Sequence, residues 1–318
     1  MPPVLHYLDM PGPAAKDAAQ RRLAWWEWNA TGQAQPDHVV LCVHGLSRQS
    51  RDFDVLAQAL APSALVVCVD VAGRGHSDWL ADPMAYQVPT YATDLAVLMG
   101  HLRQRHASAH AADDDAPALR IDWVGTSMGG LIGLVVAAQA ALGIRRLVLN
   151  DVGPELQWPA LQRIGGYLGQ MPVYADEQVA ADTLRQLFAG FGPHTPAQWL
   201  ALTRPMLRPV QGGWTLHYDP AIAQPFHAML SATGEQLAAA RQAAVAGEAM
   251  LWALYDSLTQ PTLLLRGEHS DLLSAATAQA MTERGPRARC LTVAGVGHAP
   301  TLVADDQVAA VRDFLLAP

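Results

Sequence analysis

A serine between two glycines is the first candidate for chemistry in this chain. Gly125-Thr126-Ser127-Met128-Gly129 matches the pattern G-x-S-x-G, which places a serine on a sharp turn between a strand and a helix. Residues 121–124 read as a short buried strand, and an apolar helix is predicted from Leu131. The glycines leave room for the turn, and the helix start aims free backbone N–H groups at a developing oxyanion. By itself, the pattern fits an ordinary glycine-rich turn equally well.

Two later residues supply what a reactive serine needs. Asp271 follows the predicted buried strand 262–267, and His298 follows the predicted strand 289–293. The carboxyl ends of parallel strands meet at one edge of a sheet, so we expect Ser127, Asp271 and His298 to converge there. A histidine can take the serine proton near neutral pH, and a carboxylate stabilises the imidazolium that forms. Two structural roles are the alternatives: Asp271 could be the N-cap of a helix, and His298 could be an ordinary histidine in a surface loop.

Strand and helix patterns predict an α/β architecture around these residues. Buried apolar runs alternate with helical segments between residues 39 and 152, which is typical of a mostly parallel sheet covered on both faces. Two short strands near the start suggest an antiparallel edge. We predict a core formed by residues 1–152 and 247–318. Residues 153–246 contain many prolines and no convincing buried strand, and they are predicted to form a helical cap inserted between sheet strands 6 and 7.

Several motifs together resemble those of the α/β-hydrolase superfamily, specifically its serine hydrolases of carboxylesterase type with a helical cap. They extend over nearly the whole chain and are listed in order: His44-Gly45, Asp70-x-x-Gly73-x-Gly75-x-Ser77, Gly125-x-Ser127-x-Gly129-Gly130, Gly267-x-x-x-Asp271 and Gly297-His298. The resemblance implies a doubly wound, mostly parallel sheet and a triad in the chain order nucleophile, acid, base. It also implies an oxyanion hole formed by the backbone N–H groups of Leu46 and Met128.

The resemblance favours Asp271 as the triad acid, but other acidic residues are alternative candidates for that role. Glu268 directly follows Gly267 and would serve if the loop turned early. Asn150 and Asp151 end the strand before the predicted cap, and some α/β-hydrolases take the acid from that strand end. We expect Asp151 instead to anchor the first turn of the cap. His44 is expected to be structural rather than a proton carrier.

The predicted activity is hydrolysis of a carboxylic ester with a small or medium acyl chain, through an acyl-enzyme at Ser127. Related dehalogenases and epoxide hydrolases carry aspartate at the elbow, so Ser127 argues against both. The alternatives are a carbon–carbon bond hydrolase or enol-lactonase of aromatic degradation, and a non-catalytic ligand-binding member of the same fold. Fold alone does not decide between them.

Composition narrows the expected partners. The formal charge of -8 argues against nucleic acid or an anionic membrane surface, and no apolar run reaches membrane-spanning length. The N-terminal residues lack the pattern of a secretory signal, so we expect a cytoplasmic protein with a small-molecule ester substrate. We expect no cofactor and no metal, because the chemistry needs neither and no ligand spacing or dinucleotide fingerprint occurs. The sequence carries no signal for oligomeric state.

Overall fold

Ten strands form two sheets in the computed structural model, which describes residues 2–18, 20–113, 115–231 and 233–317. The strands are β1 Val4–Met10, β2 Arg21–Trp28, β3 His38–Val43, β4 Leu65–Asp70, β5 Arg120–Thr126, β6 Ile144–Asn150, β7 Leu207–Val210, β8 Gly213–Leu216, β9 Thr262–Gly267 and β10 Arg289–Val293. Eight of them pair in the order β1-β2-β4-β3-β5-β6-β9-β10, while β7 and β8 form a separate hairpin.

The large sheet is parallel except at one edge. β1 pairs with β2 and β2 with β4 in the antiparallel sense, whereas every neighbouring pair from β4 to β10 is parallel. All residues of β3 and of β4 are buried, as expected for strands covered on both faces. The predicted mostly parallel sheet with an antiparallel edge is therefore confirmed.

Helices cover both faces of this sheet because side chains along each strand alternate between the faces. In β3, Val39 and Leu41 belong to the apolar cluster under α2 and α3, whereas Val40 and Cys42 belong to the cluster under α1 and α10. These helices are α1 Asp54–Leu60, α2 Val88–Ala109, α3 Met128–Ala137 and α10 Asp305–Leu316, and α9 Ala275–Glu283 packs on the same side as α2 and α3.

The segment between β6 and β9 is largely helical. It contains α4 Trp158–Tyr167, α5 Glu177–Leu187, α6 Pro196–Thr203, α7 Gln224–Leu230 and α8 Gly234–Ser257, together with the β7–β8 hairpin. This hairpin is not predicted from the sequence because each strand has only four residues, too few for an alternating pattern. The two-residue turn is Gln211-Gly212, and Gly212 has φ 91°, a conformation that glycine adopts readily.

The predicted boundary between residues 246 and 247 falls inside α8. One helix crosses it because the alanine-rich run continues without a proline on either side. A single helix thus begins in the inserted segment and ends beside the core, where Trp252 and Tyr255 are buried.

None of the helices within the described ranges combines the length and the apolar character that crossing a bilayer requires.

Candidate active site

Ser127 lies on a strained turn between β5 and α3. Its backbone has φ 52° and ψ −116°, a region that residues other than glycine rarely occupy. The neighbouring chains pass too close for larger residues: a Cβ on Gly129 would lie 1.9 Å from the carbonyl oxygen of Val43, and one on Gly125 would lie 2.3 Å from that of Gly129. The predicted strand–turn–helix geometry around Ser127 is therefore present, and it presents the hydroxyl at the carboxyl edge of the sheet.

His298 joins the serine to a carboxylate. Its Nε2 lies 2.9 Å from Ser127 Oγ, and its Nδ1 lies 2.7 Å from Asp151 Oδ2. A carboxylate beside Nδ1 requires the proton on that nitrogen, which leaves Nε2 as the acceptor for the serine O–H. Ser127 and His298 are therefore brought together as the sequence predicted, in the geometry of a nucleophile and its general base.

Asp151 is the carboxylate that contacts the histidine. It directly follows β6, has φ 56° and is fully buried. Besides His298, its side chain accepts hydrogen bonds from the Gly267 N–H at 2.8 Å and from the Ser270 hydroxyl at 2.6 Å. Three donors therefore hold a buried carboxylate in one orientation, which is the environment that a triad acid requires.

Asp271 is not the carboxylate hydrogen-bonded to His298, contrary to the sequence prediction. Its carboxylate pairs with Arg163 on α4, with oxygens 2.6 Å from Nε and 2.9 Å from Nη2, and its side chain is 42% exposed. Burial works to raise the pKa of Asp271, but the Arg163 guanidinium outweighs it and holds that pKa below its usual range. Asp271 therefore faces Arg163 of the inserted segment in the wall of the site, and its carboxylate is engaged there.

Glu268, the nearer rival, also points away. Its carboxylate accepts the N–H of Gly295 at 2.8 Å and is half exposed. Asp151 at the end of β6, the less favoured alternative from the sequence, is therefore the carboxylate that is hydrogen-bonded to His298.

The two predicted oxyanion donors flank Ser127. Met128 is the first residue of α3, and Leu46 follows the end of β3 on a loop that lies against the serine: a Cβ on Gly45 would be 3.6 Å from Ser127 Cβ. Hydrogen bonds among the described residues use the Leu46 and Gly45 carbonyls but give neither the Leu46 N–H nor the Met128 N–H an acceptor. Both amides are thus available to a ligand oxygen beside Ser127.

His44 fixes this loop and stays neutral. Its Nδ1 donates to the Gly45 carbonyl at 2.7 Å, and its Nε2 accepts the Val71 N–H at 3.0 Å. Complete burial lowers the pKa of His44 to about 3. A histidine that remains unprotonated and fully bonded at working pH carries no proton in a reaction, in agreement with the structural role expected from the sequence.

We expect His44 to make folding stability depend on pH. Because its pKa of about 3 in the folded protein lies below the ordinary value of 6.5, only the unfolded chain takes up a proton there as pH falls below 6.5. The stabilisation is complete above pH 6.5 and declines toward pH 3, with about 2 kcal/mol lost by pH 5. The measurement is the free energy of unfolding in urea at pH 7 and at pH 5. The difference between the two values should be smaller in His44→Gln than in the wild type, because the glutamine amide can accept the Val71 N–H without titrating. His227→Gln, at an exposed histidine, is the control, and identical pH dependence in wild type and His44→Gln would contradict the assignment.

A cavity of about 330 Å³ lies over Ser127 and His298. Its wall includes side chains from the inserted segment, among them Ile164, Phe188 and Phe191, so this segment covers the site. Trp158, Trp199 and Trp214 are not in the wall; Trp199 is buried behind Phe191, with the two rings stacked at 6.1 Å. Trp199 therefore packs the inserted segment and does not line the cavity.

Arg48 places a buried cation in the cavity wall. Its guanidinium lies 2.7 Å and 2.5 Å from the two oxygens of Asp52, and it stands over the rings of Phe188 and Phe191 at 5.7 Å and 5.5 Å. Arg163 is a second cation in the wall, paired with Asp271. The cavity is thus mostly apolar with a few fixed charged groups, as is usual for small-molecule sites.

The arrangement suits acyl transfer. A serine, a base and an orienting carboxylate lie in line, with two backbone N–H groups beside the serine. Within the described residues, no cluster of three or more histidine, cysteine or acidic side chains is placed to hold a metal ion.

Comparisons with known proteins point to one family. The profile of the "Alpha/beta hydrolase family" matches residues 40–311. The chain is 41% identical over 301 residues to a 3-hydroxybutyrate-oligomer hydrolase of Cupriavidus necator, covering 93% of this chain and 94% of the relative. It is 27% identical over 286 residues to a pimeloyl-[acyl-carrier protein] methyl ester esterase of Xanthomonas campestris, covering 87% and 95%.

A solved structure supports the same conclusion. An alpha/beta hydrolase from Novosphingobium aromaticivorans superposes with a TM-score of 0.76 at 33% identity, covering 98% of both chains. The fold predicted from the sequence is confirmed by these matches, and the chain belongs to the alpha/beta hydrolase family.

Proposed function

We propose that this protein is a serine hydrolase that cleaves the ester bonds of short 3-hydroxybutyrate oligomers. The proposal depends on the hydrogen-bonded triad of Ser127, His298 and Asp151. This triad occurs in a chain that is 41% identical, over nearly its full length, to a 3-hydroxybutyrate-oligomer hydrolase. The sequence predicts an ester hydrolase, and this relative together with the family match confirms that class of enzyme. The assignment of 3-hydroxybutyrate oligomers as the substrate is our proposal.

The reaction begins with attack of Ser127 Oγ on the ester carbonyl carbon. His298 Nε2 takes the serine proton, and the carboxylate of Asp151 stabilises the resulting imidazolium. The negative charge that develops on the carbonyl oxygen is received by the N–H groups of Leu46 and Met128. His298 then gives its proton to the leaving alkoxide, so that the alcohol departs and Ser127 remains acylated.

Water completes the cycle by the same route. His298 Nε2 accepts a proton from the attacking water, and the second tetrahedral intermediate collapses to release the acid and restore the serine hydroxyl. Every step uses side chains and amides of this chain.

The cavity is compatible with a short oligoester. Its volume of about 330 Å³ lies at the lower end of the range for small-molecule sites, which favours a few repeating units over a long polymer. Each unit of such an ester carries one methyl group and one ester carbonyl. The apolar side chains Ile164, Leu187 and Leu202 can contact the methyl groups, while the backbone amides of Leu46 and Met128 are available to an ester oxygen.

We further propose that residues 153–246 act as a cap that determines which ester is accepted. Support comes from α4, α5 and residues 188–191, all of which contribute to the cavity wall.

The test is a substrate panel with the purified protein. We expect hydrolysis of the linear 3-hydroxybutyrate dimer and trimer, of p-nitrophenyl butyrate, and labelling by a fluorophosphonate. An enol-lactone and a ring-cleavage diketone are included because lactonases and carbon–carbon hydrolases were the alternatives from sequence. Turnover of p-nitrophenyl butyrate without turnover of the dimer or trimer would refute the substrate, and absence of both turnover and labelling would favour a ligand-binding protein.

A further inference from the structure

A second cavity of about 280 Å³ adjoins the one over Ser127. The two cavities share four wall residues, Ser47, Tyr167, Leu187 and Phe188. All other residues of the second wall belong to the inserted segment. A molecule bound over Ser127 therefore has a second compartment directly beside it, built from the part of the chain that covers the site.

The second cavity is neutral. None of the described residues that line it carries a charge, and its deepest side chains include the buried Leu184, Met206 and Leu216. An ionised ligand group would lose hydration there without gaining a counter-ion from the wall, which is unfavourable. This chemistry excludes a carboxylate or phosphate and favours an uncharged chain.

Tyrosine hydroxyls supply a few hydrogen-bonding groups in this apolar wall. The Tyr218 hydroxyl is already used, since it accepts the Gly169 N–H at 3.2 Å and donates to the Gln170 carbonyl at 3.3 Å. Tyr174 is buried, yet its hydroxyl has no partner among the described residues. Burial raises the pKa of Tyr174, so the group stays a neutral O–H donor that can serve an ester carbonyl.

The cavity also reaches the protein surface. Thr183 and Leu187 on α5 are exposed and line it, and the Leu187 side chain is 44% exposed. A linear chain longer than the compartment can therefore extend outward past α5.

The chemistry of an oligoester sets its direction across the two cavities. The acyl part that becomes attached to Ser127 carries the hydroxyl end of the chain, and the leaving alcohol part carries the carboxylate end. The first cavity contains two ion pairs, Arg48–Asp52 and Arg163–Asp271, and the two free N–H groups beside Ser127, whereas the second has no charged residue in its described wall. The carboxylate end thus belongs in the first cavity and the uncharged end in the second.

We propose that the second cavity binds the hydroxyl-terminal units of the acyl part of a 3-hydroxybutyrate oligomer, beyond the unit that is attached to Ser127. This inference rests on the proposed function. It implies that short oligomers are shortened from the carboxyl end, and that trimers use the second cavity whereas dimers do not reach it.

The test compares kcat/KM for dimer, trimer and tetramer in matched variants. In the wild type, we expect the trimer to exceed the dimer by about tenfold, the gain from burying one more methyl and methylene. Thr183→Trp places a large ring at the cavity mouth from an exposed helical position, and should remove this gain while the dimer changes less than twofold. Tyr174→Phe should reduce the gain by about threefold. Gln186→Trp, an exposed neighbour on α5 outside the wall, is the control and should behave as wild type.

The outcomes separate the two proposals. A trimer gain that survives Thr183→Trp, an equal loss for dimer and trimer, or no gain in wild type overturns the second subsite alone. Wild-type protein that turns over p-nitrophenyl butyrate and no oligomer overturns the substrate itself, and the subsite with it.

Discussion

Ser127→Ala is expected to lower kcat for ester hydrolysis by about 10⁵-fold or more and to abolish labelling by a fluorophosphonate. The hydroxyl lies 2.9 Å from His298 Nε2, and its removal leaves no atom there to form the acyl-enzyme. In a serine–histidine–carboxylate relay the three groups act as one unit, so loss of the nucleophile costs nearly the whole contribution of the relay. Substrate binding should change little because the remaining cavity wall is intact.

The measurement is initial-rate kinetics with p-nitrophenyl butyrate, with mass spectrometry of the labelled protein. Ser108→Ala, at an exposed serine on α2, is the control and should retain wild-type activity and labelling. Labelling that persists in Ser127→Ala would identify another nucleophile. Unchanged turnover in that variant would show that the cavity over Ser127 is not where the ester is cleaved.

The main sheet and the positions of Ser127 and His298 could be predicted because they follow from strong local signals. Continuous apolar runs mark strands that are buried on both faces, as in β3 and β4. Glycines at 125 and 129 mark a turn where other backbone passes within contact distance. Once the strands are placed, the carboxyl edge of the sheet gathers the residues that follow them, and no long-range information is needed.

The inserted segment was less predictable because tertiary contacts decide its form. The β7–β8 hairpin is too short to carry a period, and its position is fixed by pairing between Tyr174 and Trp214, with backbone N···O distances of 2.8 Å and 2.9 Å. The second cavity likewise arises from residues far apart in sequence, such as Ser47 and Leu216. No spacing rule brings such pairs together.

The identity of the triad carboxylate could not be predicted from the sequence. Asp151 and Asp271 both follow strands that end at the same edge of the sheet, so the strand pattern treats them alike. What separates them is where each side chain points. A backbone φ of 56° accompanies the buried carboxylate of Asp151 beside His298, whereas the carboxylate of Asp271 is bound by Arg163, which lies 108 residues earlier in the chain.

Asp151→Asn is therefore expected to lower kcat by about 10⁴-fold, whereas Asp271→Asn should change it by no more than about threefold. An amide at position 151 can present its NH₂ group to His298 Nδ1, which favours the tautomer with the proton on Nε2, and that nitrogen can no longer accept the serine proton. The amide also cannot accept from Gly267, Ser270 and His298 together, as the carboxylate does. At position 271 the same substitution removes only a half-exposed ion pair with Arg163, which contributes less than about 1 kcal/mol.

The ratio of the two effects is the informative quantity, because both variants exchange one carboxylate for an amide of the same shape. Kinetics with p-nitrophenyl butyrate should give a ratio of at least 10³, with unchanged thermal stability in Asp271→Asn. A large loss of kcat in Asp271→Asn and a small one in Asp151→Asn would show that Asp271, which the family spacing favours, is the triad acid. It would also mean that the Arg163–Asp271 pair opens when substrate binds, since only a release from Arg163 could free that carboxylate to approach His298.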